Sequence, residues 1–179
     1  MGDTPRHKVF ISYHSADKEF FKKFEGICEN SIVNWSVDLG DIPDGTSTER
    51  TRQRIRDEYL RDSSVTLVLV GEKTWQRKHV DWEIGSSIRN TEYNPRSGLL
   101  GVILPSYPRS KPNEYNPYTI PPRLHYNVEN GYALMYNWTD DPTLIQKWIH
   151  EAYLRKSKIN PDNSYPSFVN NRSGDRWYN

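Results

Sequence analysis

Short apolar runs alternate with amphipathic segments along most of the chain. Continuous runs of β-branched, aliphatic and aromatic residues predict β-strands, because such residues pack well on a buried pleated surface. Four of these runs are Lys8 to Tyr13, Val65 to Val70, Leu99 to Leu104 and Tyr132 to Tyr136. A shorter run, Trp35 to Asp38, predicts one more strand, so about five strands are expected.

The segments between these strands carry apolar residues at helical spacing. The first predicted helix has Ser15 as its N-cap, and its apolar positions are Phe20, Phe24, Ile27 and Cys28. A heavily charged helix is expected around Arg50 to Arg61. A third helix follows Val65 to Val70, with Val80, Ile84, Ser87 and Ile88 on one of its faces. The last helix is predicted to begin after Asp141, with Pro142 at its first position.

Strands that alternate with helices imply right-handed βαβ units and a parallel sheet with helices on both faces. The sequence therefore predicts an α/β fold of the flavodoxin-like doubly wound type, with strand order 2-1-3-4-5. Residues 1–158 are expected to form this domain, and residues 159–179 a polar C-terminal tail. The stretch from Pro105 to Asn130 is long and rich in Pro, Tyr and Asn, and no helix or strand is predicted there.

Charge and composition exclude several classes of function. The 24 basic and 23 acidic residues nearly cancel, which argues against a basic stripe for nucleic-acid binding. Cys28 is the single cysteine, so no intrachain disulfide can form. The sequence contains no apolar run of membrane-spanning length and no N-terminal apolar signal core. We therefore expect a cytoplasmic protein that does not bind membranes or nucleic acids.

The predicted topology places the candidate chemistry at one edge of the sheet. In doubly wound folds, ligands bind beyond the carboxyl ends of the strands, where the strand order reverses. The segments leaving the first three strands at that edge carry polar and aromatic side chains, namely Tyr13, His14, Asp38, Trp75, Trp82 and Glu83. Ser12 and His79 belong to the same segments; Ser12 could hydrogen-bond the backbone or a ligand, and His79 could line the pocket.

Several familiar sites are absent from the sequence. It contains no glycine-rich phosphate loop, no GxSxG nucleophile elbow and no metal-ligand spacing of Cys and His. A receiver domain would end its third strand in an aspartate, where this chain has Gly71. What remains is one well-placed carboxylate, with hydroxyl groups and rings around it.

Three segments, in order and at matching spacing, resemble the TIR domain family, in particular the bacterial TIR-like branch of Thoeris anti-phage systems. VFISYHSADK, which starts at Val9, resembles the first motif of the family, and the loop LGDIPDGTS, which starts at Leu39, resembles the loop after the second strand. SVTLVLVGEKTW followed by KHVDWEIGSSI resembles the strand and helix that carry the family's catalytic glutamate, which falls on Glu83. Many catalytic members have a tryptophan four residues earlier, where this chain has His79.

The resemblance implies an enzyme that cleaves NAD between nicotinamide and ribose, with Glu83 as the catalytic residue and NAD as substrate rather than cofactor. The substrate-binding residues would be Ser12, Tyr13, His14, Asp38, Trp75, His79 and Trp82. The implied product is a signalling nucleotide, a cyclic ADP-ribose isomer, that activates a separate effector protein. Members of the family also self-associate through the loop after the second strand.

Other interpretations stay open at this point. Glu83 could be an ordinary helix glutamate, Tyr13 and Trp82 could be core aromatics, and His14 and Asp38 could be ordinary loop and turn residues. The chain could then be a non-catalytic TIR-like assembly module. A nucleoside deoxyribosyltransferase is a further alternative, because that enzyme class combines the same fold with a carboxylate at an N-glycosidic bond.

Overall fold

A five-stranded parallel sheet in the order β2-β1-β3-β4-β5 forms the centre of the computed structural model, which describes residues 2–34, 50, 54, 60–92 and 95–178. Four strands have five or six residues, whereas β2 has two. The strands are β1 Lys8–Ser12, β2 Val33–Asn34, β3 Val65–Val70, β4 Gly98–Ile103 and β5 Ala133–Asn137. The predicted α/β class and the predicted strand order are both confirmed.

The strands at the centre of the sheet are its most buried part. β1 pairs with β3 from Val9 opposite Val65 to Ser12 opposite Val68, and β3 pairs with β4 along its whole length. Every residue of β3 and β4 is buried, as expected for parallel strands covered on both faces. Because β1 and β3 are neighbours, the strand order reverses between them, and their carboxyl ends form the predicted ligand-binding edge.

Four helices cover the two faces of this sheet in the described part of the chain. They are α1 Lys18–Cys28, α2 Lys78–Ser87, α3 Pro122–Glu129 and α4 Pro142–Arg155. The start of α4 is as predicted, because the Asp141 side chain accepts hydrogen bonds from the backbone N–H groups of Thr143 and Leu144. No helix in the ranges described above is both long and apolar enough to cross a membrane.

The alternation of side chains along β3 divides the core into two layers. Leu67 and Leu69 belong to the layer that α1 and α4 cover, whereas Val68 and Val70 belong to the layer under α2 and α3. Because β3 has aliphatic residues on both faces, α2 packs against one of these faces and its side chains lie close to the sheet.

The structure corrects two sequence-based expectations, and a third concerns residues that it does not describe. Ser15 is not the N-cap of α1; it opens a 3-10 turn, Ser15–Asp17, that His14 caps by accepting a hydrogen bond from the N–H of Ala16. The stretch assigned no secondary structure contains α3. The strand predicted at Trp35 to Asp38 lies outside the described residues, and β2 is seen just before it.

The segment that follows α4 packs along α2 and α3. Phe168 is buried with 2% of its surface exposed, and the Trp177 backbone N–H donates to the carbonyl of Tyr118. Aromatic rings of this segment also contact rings of the Pro117–Thr119 turn and of α3; for example, Trp177 lies edge-on to Tyr118 at 5.3 Å between ring centroids. The C-terminal residues are thus integrated with the helices on one face of the sheet.

Candidate active site at the edge between β1 and β3

The last residue of β1 contacts a carboxyl group on α2. The Ser12 hydroxyl donates a hydrogen bond to Oε2 of Glu83. Both side chains are buried, with 1% of Ser12 and 3% of Glu83 exposed. A strand end at the reversal of strand order therefore meets a carboxyl group that is almost withdrawn from solvent.

The electrostatic environment of Glu83 is unusual for a carboxyl group. Burial raises its pKa to about 8, and the hydrogen bond from Ser12 lowers the pKa by less than burial raises it. No cationic side chain of residues 2–34, 60–92 or 95–178 forms an ion pair with Glu83. In the unliganded protein at neutral pH, the group is therefore mostly protonated, and any cation brought beside it favours its ionised form.

A tight turn after β3 determines where α2 begins. The backbone N–H of Gly71 donates to Oγ1 of Thr74 at 2.8 Å, and the Thr74 hydroxyl donates to the carbonyl of Leu69 at 3.4 Å. A 3-10 turn, Thr74–Gln76, then leads directly into α2. Because α2 packs on the sheet through Val80 and Ile84, Glu83 is turned toward the end of β1.

The histidines predicted for the site lie beside β1. Nε2 of His79 is 3.3 Å from the carbonyl oxygen of Tyr13. Nδ1 of His14 accepts a hydrogen bond from the backbone N–H of Ala16. Burial, followed by the charges of Arg77 and Lys73, lowers the pKa of the His14 imidazole. His79 is thus joined to the strand end that carries Ser12, whereas His14 caps the 3-10 turn that precedes α1.

The predicted aromatic residues are distributed over different surroundings. Tyr13 stacks on Phe21 with ring centroids 4.2 Å apart, inside the core layer under α1. Trp75 is buried and lines a cavity of about 330 Å³ together with residues such as Tyr107 and Asn116. The Trp82 indole N–H donates to the carbonyl of Phe168 at 2.8 Å, so this ring contacts the C-terminal segment. The three rings therefore do not converge on the Ser12–Glu83 pair.

The 330 Å³ cavity lies at the same edge of the sheet, one strand further along. Its walls come from the turn after β3, the segment after β4 and the C-terminal segment, represented by Glu72, Pro108 and Asp175. Glu83 is not one of its lining residues. Asp38, the remaining predicted substrate-binding residue, lies outside the described residues.

A second carboxylate, Asp17, also reaches this edge and was not predicted as a site residue. It lies against Gly71 at the end of β3, where an added Cβ would overlap the Asp17 carboxyl group. Burial, followed by the negative charge of Glu72, raises the pKa of Asp17. The glycine at position 71 leaves room for this carboxyl group, because it has no Cβ. The sequence signal for Asp17 was its position directly after the first strand and the following loop.

Asp81, two residues before Glu83, has a different environment. It forms a buried ion pair with Arg123, with 3.0 Å between Oδ1 and Nε, and its Oδ2 accepts from the backbone N–H of Phe168 at 3.0 Å. Both members of the ion pair are 2% exposed. The sequence offered no signal for this pair, since the two residues are 42 positions apart on different helices.

Comparison with known proteins agrees with this architecture. No curated protein matches the sequence closely enough to count as a relative. A family model described as Thoeris protein ThsB, TIR-like domain, matches residues 10–109, more than half of the 179-residue chain. The match begins within β1 and covers β3, α2 and β4 completely, so it includes both Ser12 and Glu83. The chain therefore belongs to the family of TIR-like domains of the Thoeris protein ThsB.

Proposed function

We propose that this protein is an NAD nucleosidase and ADP-ribosyl cyclase in which Glu83 is the catalytic carboxylate. The observation that supports the proposal best is the environment of Glu83, which is buried, has no cationic partner among the described residues and is held by Ser12 at the edge where such folds bind ligands. Carboxyl groups with a strongly perturbed pKa in such a position are frequent in active sites.

The chemistry of the substrate suits a site with a single carboxylate. Nicotinamide is a cationic pyridinium when it is bound to ribose and leaves as a neutral molecule, so the reaction needs no general acid. As the bond breaks, positive charge develops on the ribose, as in glycoside hydrolysis. A carboxylate beside the sugar stabilises that charge and accepts hydrogen bonds from the ribose hydroxyls, which is the proposed role of Glu83.

Substrate binding would also bring Glu83 into its reactive form. The pKa of about 8 means that the free protein holds the carboxyl group mostly neutral at pH 7. The positive charge of the nicotinamide ring favours the ionised carboxylate, because an opposite charge within a few ångströms lowers the pKa of an acid. The Ser12 hydroxyl, which donates to Glu83, stabilises the same ionised form.

The remaining parts of the proposal concern the product and the partners. With water excluded, a nucleophilic group within the substrate attacks the ribose, and nicotinamide leaves with the electrons of the broken bond to give a cyclic ADP-ribose isomer. That nucleotide would activate a separate effector protein in anti-phage defence, in keeping with membership of the Thoeris family. Ser12 and His79 would line the ribose end of the site.

Self-association through the loop after β2 is the proposed route to a complete site. Asp44 and Gly45 of this loop lie outside the described residues. Their substitution should lower NAD turnover without lowering the melting temperature, and specific activity should rise with protein concentration. Specific activity that is independent of concentration and insensitive to both substitutions would contradict the assembly step.

The direct test is incubation of the purified protein with NAD, alone and in extract from phage-infected cells. Chromatography should show nicotinamide release, and mass spectrometry of the second product should show the mass of ADP-ribose less one water, which distinguishes cyclisation from hydrolysis. The matched control is Glu83→Gln, which keeps the size of the side chain and removes its charge.

The two alternatives predict other results in the same assay. A non-catalytic assembly module releases no nicotinamide in buffer or extract, and Glu83→Gln leaves phage protection unchanged. A nucleoside deoxyribosyltransferase transfers bases between deoxynucleosides and leaves NAD intact. Either pattern would overturn the proposal.

A further inference from the structure

The C-terminal segment supplies the cap of the helix that carries Glu83. No side chain at the N-terminal boundary of α2 caps it locally, because Arg77 makes no such hydrogen bond. Instead, the side-chain oxygen of Asn171 accepts a hydrogen bond of 3.0 Å from the backbone N–H of Lys78. An uncapped helix start leaves N–H groups without partners, so Asn171 stabilises the start of α2 that the turn after β3 sets.

Two further hydrogen bonds join this segment to the turn before α2. The backbone N–H of Arg172 donates to the carbonyl of Gln76 at 2.8 Å, and the Gln76 amide donates to the carbonyl of Gly174 at 3.0 Å. The 3-10 turn and the first residue of α2 are therefore held by three residues of the same C-terminal segment, Asn171, Arg172 and Gly174.

The middle of α2 is held at both residues that precede Glu83. The backbone N–H of Phe168 donates to Asp81, and its carbonyl accepts from the Trp82 indole. The Phe168 side chain anchors these contacts, since it is 2% exposed and the Arg172 guanidinium lies 4.2 Å from its ring centroid. Phe168 belongs to neither layer of the sheet core, so it contributes to holding α2 rather than to packing the sheet.

The far end of α2 is tied to the same segment through Asn163. Its amide N–H donates to the carbonyl of Gly85 at 3.1 Å, and its side-chain oxygen accepts from Arg123 at 2.8 Å. Arg123 in turn pairs with Asp81. The C-terminal segment thus contacts α2 before, beside and after Glu83.

We propose that the C-terminal segment from Asn163 to Gly174 is a positioning element for the candidate active site, and that Phe168 and Asn171 are positioning residues that act through α2 on Glu83. The activity part of this inference rests on the proposed function, whereas the placement of the Glu83 carboxyl can be measured without any substrate. The hydrogen bonds described above join this segment to Gln76, Lys78, Asp81, Trp82 and Gly85 and not to Ser12 or Glu83, so the proposed action is to fix the helix.

Two substitutions and two matched controls test this proposal in the 179-residue chain. Phe168→Ala removes the buried anchor, and its control is Val169→Ala, because the neighbouring Val169 is 73% exposed. Asn171→Ala removes the cap of α2, and its control is Asn170→Ala at the exposed position beside it. Asn171→Asp keeps an acceptor at the helix start and should behave as the native protein does.

The first readout is the titration of the Glu83 carboxyl carbon by NMR, assigned by its disappearance in Glu83→Gln. In Phe168→Ala and Asn171→Ala, water gains access to the carboxyl group, so its pKa should fall toward the usual range for glutamate. The second readout is NAD turnover. We expect kcat to fall by about tenfold with KM within about twofold, since small misplacement of a catalytic group lowers the rate of the bond-breaking step.

We expect the pKa of Glu83 to fall in Phe168→Ala and Asn171→Ala. It should keep its native value in the two controls and in Asn171→Asp. The proposal is overturned if Glu83 titrates in Phe168→Ala and Asn171→Ala as it does in the controls, whatever happens to turnover. Should Phe168→Ala fail to fold, Asn171→Ala decides, since its side chain is exposed. Should the native protein not cleave NAD, the function proposed above fails, and the titration still tests the positioning.

Discussion

Asp81 and Glu83 are two residues apart on one helix and nearly equally buried, but their surroundings differ. The guanidinium of Arg123 and the backbone N–H of Phe168 both bind the Asp81 carboxylate. Glu83 has the Ser12 hydroxyl as its hydrogen-bond donor and no ion pair among the described residues. A buried carboxylate with a full set of donors stabilises a fold, whereas one without a counter-charge is costly to ionise and remains available to a ligand.

The difference also shows how little helix position alone says about function. Consecutive helix positions are about 100° apart, so two residues separated by two positions project on opposite sides of α2. Asp81 faces α3 and the C-terminal segment, and Glu83 faces the end of β1. Substitutions can therefore separate the structural role of Asp81 from the proposed catalytic role of Glu83.

Removal of the structural carboxylate should have the largest effect on stability. Asp81→Ala leaves the Arg123 guanidinium buried without its counter-ion, and the free energy of unfolding should fall by about 3–5 kcal/mol. Urea denaturation followed by circular dichroism measures this change. A loss below about 1 kcal/mol would mean that the ion pair between Asp81 and Arg123 contributes little to the stability of the fold.

Neutralising Glu83 should have the opposite effect on stability. Because its pKa is raised in the folded protein, the folded state binds a proton more tightly than the unfolded chain, and stability falls as pH rises from about 4.3 to about 8. Glu83→Gln removes this loss, so the variant should be more stable than the native protein by roughly 4 kcal/mol at pH 8. Thermal melts across pH 5–8 measure the two curves, and parallel curves would contradict the raised pKa.

The pH dependence of NAD turnover should report the same group. The term kcat/KM follows ionisation in the free enzyme, so with a pKa of about 8 it should rise about fivefold between pH 7 and pH 8. Initial rates of nicotinamide release at low NAD concentration measure this profile. A profile that is flat above pH 6 would mean that Glu83 is already ionised in the unliganded protein.

Loss of the Ser12 hydroxyl should weaken the ionised form of Glu83 and so lower turnover. Ser12→Ala removes one hydrogen bond to the ionised carboxylate, which is worth about 1–2 kcal/mol, so turnover at pH 7 should fall by about tenfold. The rise of kcat/KM should also move to higher pH, since the hydrogen bond from Ser12 lowers the pKa of Glu83. Unchanged turnover and an unchanged profile would remove Ser12 from the site.

The parts of this molecule that could be predicted from sequence are those that depend on local periodicity. The strand Val65–Val70 was predicted with its observed bounds, and the cap and first residue of α4 were predicted from Asp141 and Pro142. Topology and family resemblance both point to Glu83, and the structure brings its carboxyl group to Ser12.

The parts that could not be predicted depend on long-range polar contacts. The face that α3 buries includes Arg123 and Asn127, so apolar periodicity could not reveal that helix. Arg123 is buried because it meets Asp81, and Asn127 donates to the carbonyl of Asp162. The C-terminal segment looks like a polar tail for the same reason, because it is held mainly by backbone and amide hydrogen bonds.

The most direct test of the central claim compares nicotinamide release from NAD by the native protein and by Glu83→Gln, after melts have shown that both are folded. The account predicts release by the native protein and a loss of at least about 100-fold in the variant, since the carboxylate stabilises the charge that develops on the ribose. Equal rates of nicotinamide release by the two proteins would show that the buried Glu83 has no role in the reaction, and would contradict the account.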